Sequence, residues 1–146
     1  MSRRKSRILA FQALFSWDAS KTPLEELLNF SWLQKDDDLQ KDTSPTAREE
    51  QTFASLIIAG TIDHIDQIDA EIEKHLSASW SMDRINKVTL AILRTSVYEL
   101  VFQKDIDRKI VIDEAVNIAR DYGTDDSYKF INAVLDKIGK DEAKKA

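Results

Sequence analysis

Few residues in this sequence could catalyse a reaction or bind a metal. His64 and His75 are 11 positions apart, so on one straight helix they would lie about 16 Å apart, too far to share a metal ion. The sequence has no cysteine, no His-Glu-x-x-His motif and no glycine-rich phosphate loop. We therefore expect no catalytic residue, no metal and no cofactor, and we interpret both histidines as surface or interface residues.

The acidic pairs Asp113–Glu114 and Asp125–Asp126 also lack the geometry of a catalytic dyad. Neighbouring residues on a helix point about 100° apart, so two such carboxylates do not face one another. We interpret both pairs as charges near helix N-termini, where the helix dipole favours acidic side chains.

The first feature with functional content is the basic arm, by which we mean Arg3, Arg4, Lys5 and Arg7. All 26 acidic residues of the chain follow position 17, so the net charge of −5 is unevenly distributed. Four cations near a helix start oppose the dipole and repel one another, and we expect the first turn to project beyond the core. Arginine forks in such an arm can bind RNA phosphates. A solvated, disordered N-terminus is the competing interpretation.

The second feature is the segment from Asp125 to Asn132. Phe130 falls at the edge of the apolar face formed by Ile131 and Leu135, and Lys129 falls on the polar side. An aromatic side chain at such an edge can complete the core, or it can stack on an RNA base while the lysine neutralises a phosphate. Spacing alone leaves both interpretations open.

Composition and periodicity predict an all-α protein of about seven helices. Only three Gly and two Pro interrupt stretches in which apolar residues recur at helical spacing. A helix from Met82 or Asp83 to Val101 is apolar except for a strip of Lys87, Arg94 and Tyr98, so it should be central. The other predicted elements are helices over about 3–19, 22–33, 46–76 (capped by Thr46, with a division at Gly60–Thr61), 110–122 (ended by Gly123) and 124–139, a loop over 35–45 and a frayed tail over 140–146.

The length of 146 residues fits one domain covering 1–146. The segment after the basic arm lacks the continuous apolar region of a secretory signal, and no run approaches the roughly 18 apolar residues needed to span a bilayer. We expect a cytoplasmic protein without membrane contact.

Three blocks of sequence, in order and spread over Arg3 to about Lys137, resemble the NusB antitermination factors. The first block is RILAFQALFSW at 7–17, the second is AILRTSVYEL at 91–100, and the third is DEAV at 113–116 followed by YGTDDSYKFINAVLD at 122–136. The resemblance therefore covers nearly the whole chain, with all three blocks in register.

This resemblance implies two packed three-helix bundles and no enzymatic activity. It implies binding to the boxA element of nascent RNA together with NusE, a small-subunit ribosomal protein. It also implies assembly with other Nus factors on RNA polymerase, notably on ribosomal RNA operons. The positions matching the family's RNA-binding surface are Arg3, Arg4, Lys5, Arg7, Gln12, Lys129 and Phe130, and those matching its NusE contact are Phe15, Thr89 and Asp126.

Three residues depart from the family's pattern. Thr89 stands where an acidic residue is common, which puts the strength of the NusE contact in doubt. Asp113 replaces a usual Asn, and Ala133 replaces a common Gly, which indicates different packing of the last helix. None of the three belongs to the basic arm.

Two other classes of protein fit parts of the same pattern. One is a helical protein-interaction adaptor without RNA affinity of its own. The other is an accessory domain like the NusB-like portion of RNA methyltransferases, which we do not expect because no methyl-donor-binding domain follows residue 146. A homodimer of the free protein is a further state that the sequence allows.

Overall fold

The computed structural model describes residues 3–30, 32, 45–78 and 80–145, and within these ranges the chain forms seven α-helices, one 3₁₀ turn and no strand. The helices are α1 (Arg3–Ala19), α2 (Leu24–Asn29), α3 (Pro45–Asp63), α4 (Ile65–Lys74), α5 (Lys87–Phe102), α6 (Arg108–Tyr122) and α7 (Ser127–Lys145), and the 3₁₀ turn is Met82–Arg84. The predicted all-α fold of about seven helices is confirmed.

The helices are arranged as two packed three-helix bundles. Helices α1, α2 and α3 pack together as the first, and α5, α6 and α7 as the second. The bundles are joined because α1 also packs along α5, while α4 lies against α5 and α7.

Helix α5 occupies the centre, as its apolar circumference predicts. Every residue from Thr89 to Leu100 is buried, and α5 contacts α1, α3, α4, α6 and α7. Its start is capped by Asn86, whose side-chain oxygen accepts a hydrogen bond from the Thr89 backbone N–H at 2.8 Å.

The side chains of the polar strip of α5 contact neighbouring helices. Arg94 is buried and its guanidinium donates to both carboxylate oxygens of Asp69 at 2.9 Å. Lys87 lies 3.1 Å from a carboxylate oxygen of Asp18. Tyr98 is buried over Gly60, where a Cβ atom would overlap the tyrosine ring.

Several predicted boundaries were wrong. The chain divides at His64 rather than at Gly60–Thr61, and α3 already begins at Pro45, so Thr46 is not its cap. Helix α6 begins at Arg108 after the cap Asp107, which places Asp113–Glu114 well inside it rather than at its N-terminus. Leu33 and the predicted loop, apart from its last residue, lie outside the described residues.

Helix α6 ends at Tyr122, immediately before Gly123, as predicted, whereas Gly139 does not end α7. Gly123 follows α6 in an extended conformation with φ −92°, and a Cβ there would overlap the Ser127 hydroxyl. Helix α7 continues through the buried Gly139, whose carbonyl accepts a hydrogen bond from Arg108 at 3.0 Å. Its last turns are held by buried Glu142, which forms ion pairs with Lys104 and Lys145.

Candidate nucleic-acid interface

The basic arm does not project beyond the core, so that prediction was wrong. Ser6 is fully buried in the middle of the arm, and its hydroxyl donates to the backbone carbonyl of Glu50 at 2.8 Å. The first turn of α1 is therefore docked on α3, with carboxylates of α3, α5 and α6 around it.

Arg7 holds α1 on the central helix. Its Nε and Nη2 atoms donate to the two carboxylate oxygens of Glu99 at 2.9–3.1 Å, and the side chains of Arg7 and Glu99 are only 10% and 2% exposed. Burial raises the pKa of Glu99, although the Arg7 guanidinium opposes that shift. Because its guanidinium is hydrogen-bonded to Glu99, Arg7 stabilises the fold of the free protein and is not available to bind an RNA phosphate.

The other three cations of the basic arm stay accessible. Arg3 is exposed and its guanidinium lies 4.1 Å from the centre of the Phe53 ring, a cation–π contact. Arg4 and Lys5 have side chains 43% exposed. Arg4 lies 2.8 Å from a carboxylate oxygen of Glu114, and Lys5 lies 3.9 Å from a carboxylate oxygen of Glu50.

A second cluster forms the aromatic groove, which is lined by Trp80, Arg84, Thr89, Asp126 and Phe130 among others, with a volume of about 300 Å³. The rings of Trp80 and Phe130 are 5.7 Å apart. Thr89 is buried, and its hydroxyl oxygen has no hydrogen-bond partner among the residues that the structure describes.

The aromatic groove brings together three predicted residues, Thr89, Asp126 and Phe130. Lys129, one position away, is exposed and lies 3.6 Å from an Asp126 carboxylate oxygen. Sequence reasoning missed Trp80, although a tryptophan in the polar connection 77–81 between two predicted helices was a usable signal.

The remaining predicted residues lie along α1 between the two clusters. Arg7 meets the C-terminal part of α5 and Asp18 meets its first residue, Lys87, so α1 and α5 are antiparallel. Gln12 is half-buried and Phe15 is 37% exposed. The predicted site residues therefore form two clusters, the basic arm and the aromatic groove, separated by about 15–20 Å of helix.

The acidic partners of the basic arm were also missed. Glu99 is the one acidic residue in the mostly apolar run 88–102, a pattern that signals a buried charge pair. Glu114 was interpreted as a helix N-terminal charge, but it binds Arg4.

Both histidines lie in contact with neighbouring helices. The His64 ring stacks on Phe102 with centroids 4.1 Å apart, and His75 Nε2 lies 2.9 Å from an Asp141 carboxylate oxygen. Among the described residues, no group of three or more His, Cys, Asp or Glu side chains could hold a metal ion. None of the helices in those ranges has the length and apolar character to cross a bilayer.

Comparisons with known proteins agree with this architecture. The NusB family model matches residues 4–140. The transcription antitermination protein NusB of Treponema denticola is 51% identical over 138 residues, which cover 94% of this chain and 96% of that protein. The NusB of Borreliella burgdorferi is 38% identical, covering 90% and 89%.

Solved structures agree as well. A structure of T. maritima NusB matches with a TM-score of 0.80 at 35% identity, covering 98% of this chain and 94% of that one. A crystal structure of the antitermination factors NusB and NusE in complex with dsRNA matches with a TM-score of 0.74 at 27% identity, covering 95% and 96%. The chain belongs to the NusB family.

Proposed function

We propose that this protein is a transcription antitermination factor that binds boxA RNA together with NusE and joins the antitermination complex on RNA polymerase, notably on ribosomal RNA operons. Membership of the NusB family supports the proposal, as does the solved complex of a family member with NusE and RNA. The protein acts by binding rather than catalysis, as a cytoplasmic protein.

The observation that carries the proposal is the accessible part of the basic arm. Arg3, Arg4 and Lys5 present three cations within one helical turn of a protein whose net charge is −5. A local concentration of positive charge on an acidic body attracts a polyanion to one place and repels it elsewhere. Phosphate contacts of this kind supply most of the affinity for a nucleic-acid backbone.

The aromatic groove supplies the second contact. Phe130 and Trp80 offer ring faces on which bases can stack, and the exposed Asp126 carboxylate offers a hydrogen-bond acceptor to a neighbouring protein. We propose that the aromatic groove lies where RNA and NusE meet on this protein. We also propose that 1–146 works as one domain, because α1 packs against helices of both bundles.

Replacing Arg3 and Lys5 together by Ala should weaken boxA binding about tenfold or more. It should also lower the slope of log affinity against log salt by about 1 to 1.5, since each phosphate contact to a single strand contributes about 0.7. Fluorescence titration of labelled boxA RNA, with and without NusE, measures both quantities. Arg7 is left unchanged because it holds the fold.

The matched control is the Lys74→Ala, Lys140→Ala variant. It removes the same charge from two exposed lysines, neither of which lines the aromatic groove or belongs to the basic arm. Equal affinities for the two variants would contradict the assignment of the basic arm. Failure of the unaltered protein to bind RNA even with NusE would favour the adaptor function.

Replacing Phe130 by Leu is expected to weaken boxA binding about tenfold, because stacking on an aromatic ring contributes about 1–3 kcal/mol per base. Leucine keeps the contact with the core, while Phe130→Tyr keeps the ring and should retain affinity. If the Leu variant binds RNA as the unaltered protein does, Phe130 only completes the core.

A further inference from the structure

Among the described residues, three carboxylates lie within 4.0 Å of cations of the basic arm, and their geometries differ. Glu99 is buried and fully engaged by Arg7, so it belongs to the core. Glu50 lies 3.9 Å from Lys5, and its backbone carbonyl receives the Ser6 hydroxyl. Of these three, Glu114 combines a short contact to an accessible cation with a partly exposed side chain.

The carboxylate of Glu114 occupies the place on Arg4 that an RNA phosphate would occupy. Both Nε and Nη2 of Arg4 lie 2.8 Å from one carboxylate oxygen of Glu114. The other carboxylate oxygen lies 4.0 Å from Arg7. An arginine edge that meets a carboxylate in this way also fits a phosphate, so one anion must give way to the other.

We infer that Glu114 is an internal competitor for the RNA phosphate and limits the affinity of the basic arm. The inference rests on the proposed RNA-binding function. When a phosphate reaches Arg4, the displaced carboxylate stays on the rigid helix α6 and repels the phosphate. RNA therefore binds only when further contacts, such as those of Arg3, Lys5 and the aromatic groove, compensate for this repulsion.

The test is Glu114→Gln, which removes the charge and keeps the shape. With NusE present, boxA RNA should bind about fivefold more tightly to this variant, the factor that corresponds to one partly exposed charge pair. The gain should shrink as salt is added, because the contact is at the surface.

Two further variants isolate the contact. Asp113→Asn makes the same change of net charge at the adjacent, exposed position and should leave affinity within about twofold. In an Arg4→Ala background, Glu114→Gln should give no gain, since the two residues then no longer interact.

The possible outcomes separate the inference from the proposed function. Weaker binding by Glu114→Gln would show that Glu114 positions Arg4, and a gain equal to that of Asp113→Asn would show a general charge effect; either overturns the inference while the function stands. Absence of RNA binding by the unaltered protein would overturn the proposed function and the inference with it.

Discussion

Replacing Arg7 by Met is expected to lower the free energy of unfolding by about 3–5 kcal/mol, because it leaves the buried carboxylate of Glu99 without its partner. The pair joins α1 to α5 through three hydrogen bonds at 2.9–3.1 Å, with the Glu99 side chain only 2% exposed. Urea unfolding followed by circular dichroism measures the change.

The pH dependence identifies the cause of this loss. Burial already raises the pKa of Glu99, and removal of Arg7 should raise it further. A carboxyl whose folded pKa exceeds its unfolded value favours folding at low pH and loses that contribution as the pH rises through the folded pKa. The Arg7→Met variant should therefore be less destabilised at about pH 5 than at about pH 8.

The double variant Arg7→Met, Glu99→Gln is the control. It removes both charges, so it should recover part of the lost stability and lose the additional pH dependence. A single variant as stable as the unaltered protein at every pH would show that the ion pair contributes nothing. A double variant less stable than the single one would contradict the unpaired-charge explanation.

Replacing Gly60 by Ala is expected to destabilise the protein by about 1–3 kcal/mol. On an exposed helix the same change would stabilise by up to about 1 kcal/mol, because alanine favours helix. Here the added Cβ would overlap the Tyr98 ring, which is buried and whose hydroxyl accepts a hydrogen bond from Gln103 at 3.0 Å. Either the ring or α3 must move.

The Tyr98→Leu background tests this explanation. Leucine vacates the space above Gly60, so Gly60→Ala should become neutral or stabilising there, although Tyr98→Leu lowers stability by itself. Thermal unfolding of the four proteins in this cycle gives the coupling energy. An equal loss in both backgrounds would show that Gly60 is needed for some reason other than the approach of Tyr98.

Recognition of the family from three blocks of sequence was correct, and the all-α class followed from helical periodicity. Helix ends were less predictable. The sequence places Gly139 where a helix commonly stops, yet α7 continues because Arg108 binds the Gly139 carbonyl and Glu142 binds Lys104. Both contacts come from segments more than 30 positions away in the chain, which local propensity does not describe.

The basic arm shows the same limit at the candidate site. The sequence by itself determined that four cations cluster at the start of α1, since this follows from residue order alone. Only the tertiary structure decided that Arg7 is buried against Glu99, that Arg4 meets Glu114, and that Arg3 lies over Phe53. Charges pair through space over a few ångströms, and the packing of α3, α5 and α6 against α1 sets which ones meet.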